Sequence, residues 1–259
     1  LPDDLNPWCV EFGAWDGKFC MNTNNLICNK GFSGVMIEGD KNKIPDLKKT
    51  FKDYEDKVHI FHRWIDFEEN SLDNVLSETP IPKDFTVLSI DIDGEDYYVW
   101  ESLKNYNPKI VIIEFNCTIP SNVNIVQEKG AGHHFGASGS ATCELAKQKG
   151  YDLVSATDCN LIFVKNEYFP LFKIEDNSLS TLFKPFEEKY VTQIYQGYNS
   201  EFFIKGNKRI FWSTVELNID EEDFQVLPNF LRYFPASVSK FHRVISKLYI
   251  NIFKRKNIT

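Results

Sequence analysis

Short apolar runs that end in polar turns recur along much of this chain. Runs near 8–12, 34–38, 58–62, 86–91, 110–115, 151–155 and 160–164 predict strands. The segments 22–30, 43–53, 70–77, 96–104 and 139–149 carry helical spacing or helix-friendly composition and predict helices between them. Such alternation implies an α/β architecture, a mostly parallel sheet covered by helices on both faces. The last two runs, joined through Asp158-Cys159-Asn160, predict an antiparallel pair at one edge. There are no internal repeats and no low-complexity tracts.

After Phe169 the pattern changes. Residues 170–236 are rich in aromatics and turn residues (Pro170, Pro185, Gly197, Gly206, Pro228, Pro235) and predict an extension packed on the core, as a lid or an oligomer contact. In 238–256, Val238, Phe241, Ile245, Leu248 and Ile252 recur at steps of three and four, and Lys240, Arg243, Lys247 and Lys254 follow a similar step on another face. That is an amphipathic helix with a basic side. The expected organisation is therefore a domain over 1–169, an extension over 170–236 and a basic helix over 237–259.

Composition narrows the class. With 259 residues, 42% of them apolar and 22 of them Phe, the chain can build one large domain or one domain with appendages. No run approaches the ~20 apolar residues of a membrane span. The start carries no leader pattern, and Leu1 in place of Met is expected to mark a trimmed chain. Six Cys (Cys9, Cys20, Cys28, Cys117, Cys143, Cys159) form no C-x-x-C pair. Most lie in apolar segments, so buried free thiols in a reducing, cytoplasmic setting are expected. The net charge of −8 argues against nucleic acid as a partner. From Ser237 onward, however, there are six Lys or Arg and no acid. This helix is expected either to pack on its own domain or to touch the anionic inner face of a membrane.

Chemistry enters at Val10-Glu11-Phe12-Gly13-Ala14-Trp15-Asp16-Gly17. A strand ends there in a Gly-containing acidic turn, and a second strand ends at Glu38, 21 residues after Gly17. This is the layout of a nucleotide-binding βαβ unit, in which the first turn approaches the ligand and the second strand's acid accepts from a ribose diol. The turn is not G-x-G-x-x-G. Asp16 would repel a pyrophosphate, which wants bare N–H donors at a helix start. It suits a cationic ligand, and S-adenosylmethionine carries a sulfonium, an ammonium and a ribose. Asn22, Thr23 and Asn24 open the following helix, as caps or as contacts to the ligand's carboxylate.

Carboxylates gather in Asp91-Ile92-Asp93-Gly94-Glu95-Asp96, up to three of them placed at the end of the fourth strand and the next turn, where ligands bind in open α/β sheets. Asp91 and Asp93 fit either a divalent cation site or a general base for a hydroxyl, and Asp96 fits a helix cap. The next strand closes on Glu114 and Asn116, so Asp91, Asp93 and Glu114 are the candidate metal ligands. His133 and His134 lie in the Gly-rich loop 130–140, which leads into a helix capped by Ser138 or Ser140. After the third strand, His62-Arg63-Trp64-Ile65-Asp66 offers an aromatic and a carboxylate at the position that faces an adenine.

Taken together, VEFGAWDG, NTNNL, GFSGVMIEGD, LSIDIDGEDYYVW, KIVIIEFN and FGAS…AKQKGYDLV resemble FkbM-like S-adenosylmethionine-dependent methyltransferases over about residues 8–165. The resemblance implies a Rossmann-like class I methyltransferase fold with the cofactor at the strand C-termini. Glu11, Gly13, Ala14, Asp16 and Gly17 would then line the methionine side, Glu38 the ribose, and Trp64, Ile65 and Asp66 the adenine, with Asp91 adjoining. It further implies O-methylation of a sugar, glycan or small natural product, with Asp91 central and Asp93, His133 or His134 assisting, and Mg²⁺ as a further cofactor. A different class remains open, since a strand ending in D-x-D also serves metal-dependent glycosyltransferases that use nucleotide-sugars. The sequence is silent on oligomeric state.

Overall fold

Val, Ile, Leu and Phe crowd the strand runs and leave few polar interruptions, as expected of strands buried on both faces. The computed structural model describes residues 5–65, 70–130, 135–184, 193–196, 202–205, 225, 227–232 and 239–254. The chain divides into two compact units, Leu1–Pro185 and Phe186–Thr259.

In the first unit the order is β1 (Trp8–Phe12), α1 (Asn24–Lys30), β2 (Ser33–Glu38), α2 (Ile44–Thr50), β3 (Val58–His62), α3 (Leu72–Ser77), β4 (Val87–Ile90), α4 (Asp96–Ser102), β5 (Ile110–Glu114), α5 (Gly139–Gln148), β6 (Tyr151–Ala156) and β7 (Asn160–Lys165). The seven strands form one sheet in the order β3-β2-β1-β4-β5-β7-β6. β7 runs antiparallel to both of its neighbours, whereas β1 to β5 are mutually parallel. This is the Rossmann-like class I methyltransferase fold. The antiparallel pair sits at one edge of the sheet as expected, with β7 inserted between β5 and β6 so that β6 is the edge strand.

The register sorts side chains by parity. On one face Cys9, Met36, Val58 and Val87 pack with Ile27 of α1 and with Leu47 and Phe51 of the α2 region. On the other, Trp100 of α4 is fully buried with its ring centroid 5.3 Å from Phe163 of β7 and 5.6 Å from Tyr151 of β6. Helices therefore cover both faces. The first unit continues past Phe169. A 3-10 turn (Asn166–Phe172) and α6 (Leu179–Leu182) follow β7, and Phe183 stacks edge-on to Phe115 at 5.1 Å. Residues 170–184 thus belong to the sheet domain.

The second unit contains a hairpin of β8 (Gln193–Gln196) and β9 (Phe202–Lys205), a 3-10 turn (Asn229–Leu231) and α7 (Lys240–Tyr249), which runs on as a π-helical turn over Ile250–Lys254. Among the described residues no helix is long and apolar enough to cross a membrane. All six cysteines are free thiols. Cys9 and Cys117 are buried, Cys28, Cys143 and Cys159 are half-buried and Cys20 is exposed, so fewer are interior than the apolar context suggests.

Leu88 lies fully buried in β4 at the centre of the sheet. Leu88→Ala is expected to lower unfolding free energy by about 2–5 kcal/mol, through lost burial plus an unfilled cavity. Urea denaturation followed by circular dichroism measures this, and a change under ~1 kcal/mol would show that the centre of the sheet is not tightly packed.

Candidate functional site

The C-terminal ends of β1, β2, β4 and β5 carry Glu11, Glu38, Asp91 and Glu114, and the β1–α1 turn lies over them. Gly13 makes this arrangement possible. Its φ is +83°, and a Cβ there would come within 1.8 Å of the Asp91 carbonyl oxygen. The Asp91 N–H in turn donates to the Phe12 carbonyl at 3.0 Å. Only a glycine lets the β1 turn lie this close to the end of β4. Gly17 repeats the device, with φ +81° and a would-be Cβ within 2.9 Å of Thr50 and Phe51. Ala14 is buried in the core beneath the turn.

The N–H groups of this turn are engaged internally. Gly13 and Ala14 both donate to the Ile37 carbonyl at 3.1 Å, and Gly17 donates to Ala14. Trp15 donates to Glu38 Oε2 at 2.7 Å. Lys18 and Phe19 both donate to Asp16 Oδ1, which holds the Asp16 carboxyl below its ordinary range. Trp15 itself takes a left-handed φ of 46°, and Lys43 Nζ sits 3.8 Å above its ring. A turn whose donors are used in this way offers little to a phosphate.

Glu11 is aimed inwards. It accepts from Thr23 N–H at 2.9 Å, Asn22 N–H at 3.4 Å and the Ser89 hydroxyl at 2.8 Å. It thereby ties the start of α1 to β4 and acts as a positioning residue. Asn22 and Asn24 do not cap α1 with their side chains: Asn22 Nδ2 donates to Ser89 and Asn24 Nδ2 to the Gly17 carbonyl. Burial pushes the Glu11 carboxyl up to about 7 against these hydrogen bonds.

At the end of β2, Glu38 accepts from Trp15 N–H through one oxygen and from Asp40 N–H at 2.7 Å through the other. Each carboxylate oxygen keeps a second lone pair for a ligand hydroxyl. Beside it Trp64 lies against Gly39, where a Cβ would come within 2.6 Å of the ring. Trp64 is nonetheless 76% exposed, an indole held flat on backbone with its other side in solvent. Ile65 is half-buried, and Asp66 lies outside the described residues. Arg63 continues the strand end through its N–H to the Glu38 carbonyl and a bidentate pair with Glu78.

At the ends of β4 and β5, beyond β1 in the sheet, the acids crowd. Asp91, Asp93 and Glu114 each present an oxygen, and these atoms all lie within 4.8 Å of one another. Asp93 is exposed with φ 56°, while Asp91 and Glu114 are half-buried. Burial, then Asp93, raises Asp91 to about 6. Burial, then Asp96, Asp91 and Asp93, raises Glu114 to about 10. Asp96 is not a helix cap. It is buried, and its two oxygens accept from Ile92 and Gly94 N–H at 2.9 Å, shaping the turn that carries Asp91 and Asp93.

Asn116 faces away from such a role. Its amide donates to the Phe135 carbonyl and accepts from Thr118. It anchors the loop that follows β5. Buried Gln127, which the sequence reading missed, does more: its Oε1 accepts from Phe135 and Gly136 N–H, and its Nε2 donates to Glu95, which also accepts from Gly130 N–H. These bonds fix both flanks of the segment containing His133 and His134, which themselves lie outside the described residues. A lone Gln in a polar loop leaves no periodic trace, so no sequence signal could have found it. The cap of α5 is Ser138, which accepts from Ala141 N–H.

The chain matches no protein-family model and no curated protein. Solved structures with a similar fold include the citrinin polyketide synthase CMeT domain (14% identity, TM-score 0.41, covering 61% of this chain and 46% of that one). The METTL16 MTase domain matches at 11% identity and TM-score 0.39, covering 60% and 57%. TrmK of M. capricolum, solved in complex with S-adenosyl-homocysteine, matches at 12% identity and TM-score 0.39, covering 62% and 64%. The match spans less than two thirds of each of these chains.

The buried Glu11 generates a pH prediction. Its folded value lies above that of an unfolded carboxyl, so the native state holds the proton longer. Its contribution to stability is full below about pH 4.5 and declines as pH rises through about 7, by on the order of 1–3 kcal/mol. Glu11→Gln should therefore flatten the fall in melting temperature between pH 5 and pH 8. Parallel wild-type and variant melting curves would show that Glu11 is not the titrating group.

Proposed function

We propose that this chain is an S-adenosylmethionine-dependent methyltransferase that methylates a hydroxyl of a sugar, glycan or small natural product. The observation that carries the reading is the exposed Trp64 indole seated on Gly39 after Glu38 at the end of β2, with Asp91, Asp93 and Glu114 gathered at the ends of β4 and β5 in the same sheet. A nucleoside fits the first pair: the adenine stacks on Trp64 and the ribose diol donates to Glu38. The acids of the neighbouring cluster suit a positively charged sulfonium end. S-adenosylmethionine, when bound, supplies a methyl group on that sulfonium.

The protein's own part is positioning and proton transfer. The acceptor hydroxyl is held at the end of β4, its oxygen forms the new bond to carbon as the carbon–sulfur bond breaks, and its proton passes to the Asp91 carboxylate. With a pKa of about 6, Asp91 is largely ionised at neutral pH yet basic enough to take that proton. Proximity supplies most of the rate, and such a base adds about 10²–10⁴-fold. Asp93, and His133 or His134 from the loop, assist in this reading. Asp91, Asp93 and Glu114 are all hard oxygen donors and fit Mg²⁺, whose charge would keep the three carboxylates ionised together.

The alternative, a glycosyltransferase that uses the D-x-D pair, gains support from the same three oxygens. It is disfavoured by the β1–α1 turn, whose N–H groups are engaged with Ile37, Glu38, Ala14 and Asp16 rather than offered to a diphosphate.

Calorimetric titration with S-adenosylhomocysteine, with and without Mg²⁺ and with NAD and UDP-sugars as controls, tests the reading. Micromolar binding of S-adenosylhomocysteine supports it, whereas a metal-dependent response to a UDP-sugar alone overturns it. Trp64→Ala should weaken that binding by about 1–3 kcal/mol, the worth of a base stacked on an aromatic ring, without loss of stability. Glu38→Ala should cost about 1.5–3 kcal/mol of binding through the lost hydrogen bond from the ribose. Asp91→Asn should keep S-adenosylhomocysteine affinity within a few-fold, at constant Mg²⁺, and lower turnover about 10²–10⁴-fold. Near-normal turnover in Asp91→Asn would remove Asp91 from the proton transfer.

A further inference from the structure

The helix α7 presents apolar side chains to solvent in a line. Phe241, Val244, Leu248 and Ile252, spaced by three and four residues, are 71%, 56%, 54% and 65% exposed, and Phe253 beyond them is 63% exposed. On a helix this spacing places the four on one stripe. Lys240, Arg243 and Lys247 fall on the adjoining stripe and are exposed. Ser239 caps the helix by accepting from His242 N–H, so the element has a defined start.

A soluble surface helix normally turns its apolar stripe into a core and its charges to water. Here the apolar stripe and the charged stripe are both exposed. The charge is one-sided as well. From Ser237 to the last residue there are six Lys or Arg and no Asp or Glu, in a chain whose net charge is −8. A surface that is to accept both stripes at once must be apolar at one depth and anionic at its rim. A bilayer containing anionic lipids has that layering. A second copy of the same helix has not, since it would bring one basic stripe towards another.

We propose that α7 is an interfacial helix which lies on an anionic lipid bilayer. Phe241, Val244, Leu248 and Ile252 enter the boundary of the acyl chains, and Lys240, Arg243 and Lys247 sit among the headgroups. Residues of this kind each strengthen attraction to an anionic surface about fivefold, so the three together give a strong preference over neutral lipid. This inference is independent of the proposed activity.

Co-sedimentation of the full chain with vesicles tests it. The probes are vesicles of phosphatidylcholine with a minority of phosphatidylglycerol, and vesicles of phosphatidylcholine alone. Binding to the anionic vesicles is expected to be at least about tenfold stronger and to fall steeply with added salt. The double variant Phe241→Ser, Leu248→Ser and the triple variant Lys240→Glu, Arg243→Glu, Lys247→Glu should each lower it by about tenfold or more. Both alter exposed side chains, so melting temperature should stay within a few degrees of the parent. Equal binding to the two kinds of vesicle, binding retained in both variants, or no binding at all would overturn the proposal. So would a dimer, seen by sedimentation velocity without lipid, that the apolar variant dissolves while vesicles bind nothing.

Discussion

The ends of β1 and β4 touch through backbone alone, and the rest of the candidate site depends on that contact. Gly13 rests against the Asp91 carbonyl where any side chain would collide, and the Asp91 N–H reaches back to Phe12. Because the two strand ends meet without intervening side chains, the acidic turn is held over the strand ends. Glu11 secures the contact from below by binding the start of α1 and Ser89 of β4 together. A single buried carboxylate thereby coordinates three elements, at the cost of its own desolvation.

The same crowding explains the electrostatics. Five acids, Glu11, Glu38, Asp91, Asp96 and Glu114, sit at or near the C-terminal ends of parallel strands, and Asp93 adds a sixth. Some accept from backbone donors, as Glu38 does from Trp15 and Asp40, and Asp96 from Ile92 and Gly94. Asp91, Asp93 and Glu114 share one small space, and burial together with the neighbouring carboxylates raises Asp91 and Glu114. Like charges this close either keep protons or collect a cation. An ionised Asp91, or a cation held by the three oxygens, suits chemistry in which a hydroxyl gives up a proton, which is why the cluster and the indole surface at Trp64 form one functional hypothesis.

Residue pattern and spatial arrangement contributed differently to this picture. Strand and helix positions were legible because apolar periodicity is a local property: the run Ile110–Ile113 reads as a buried strand whatever surrounds it. The acids that close β2, β4 and β5 were legible for a related reason, since an ionisable group ending an apolar strand needs a partner or a ligand. The Asp96 carboxylate was misread as a cap because its offset from Gly94 suits both a helix start and a turn brace. Only the fold shows that Ile92 and Gly94 point their N–H groups at it.

The sequence by itself determined the alternation of strands and helices, the glycines at the β1 turn and the carboxylates at the strand ends. It could do so because each follows from neighbours a few residues away. Tertiary structure decided which of these acids remain available. Glu11 turns inwards to Thr23 and Ser89, Glu38 keeps open lone pairs beside Trp64, and Asp91 and Asp93 meet Glu114 across two strands. It also inserted β7 between β5 and β6, which sets Asn160 opposite Glu114 and fixes that edge of the cluster. Those outcomes rest on pairing between segments tens of residues apart. No local pattern encodes them, because the free energy that selects them comes from burying one face of the sheet against particular helices.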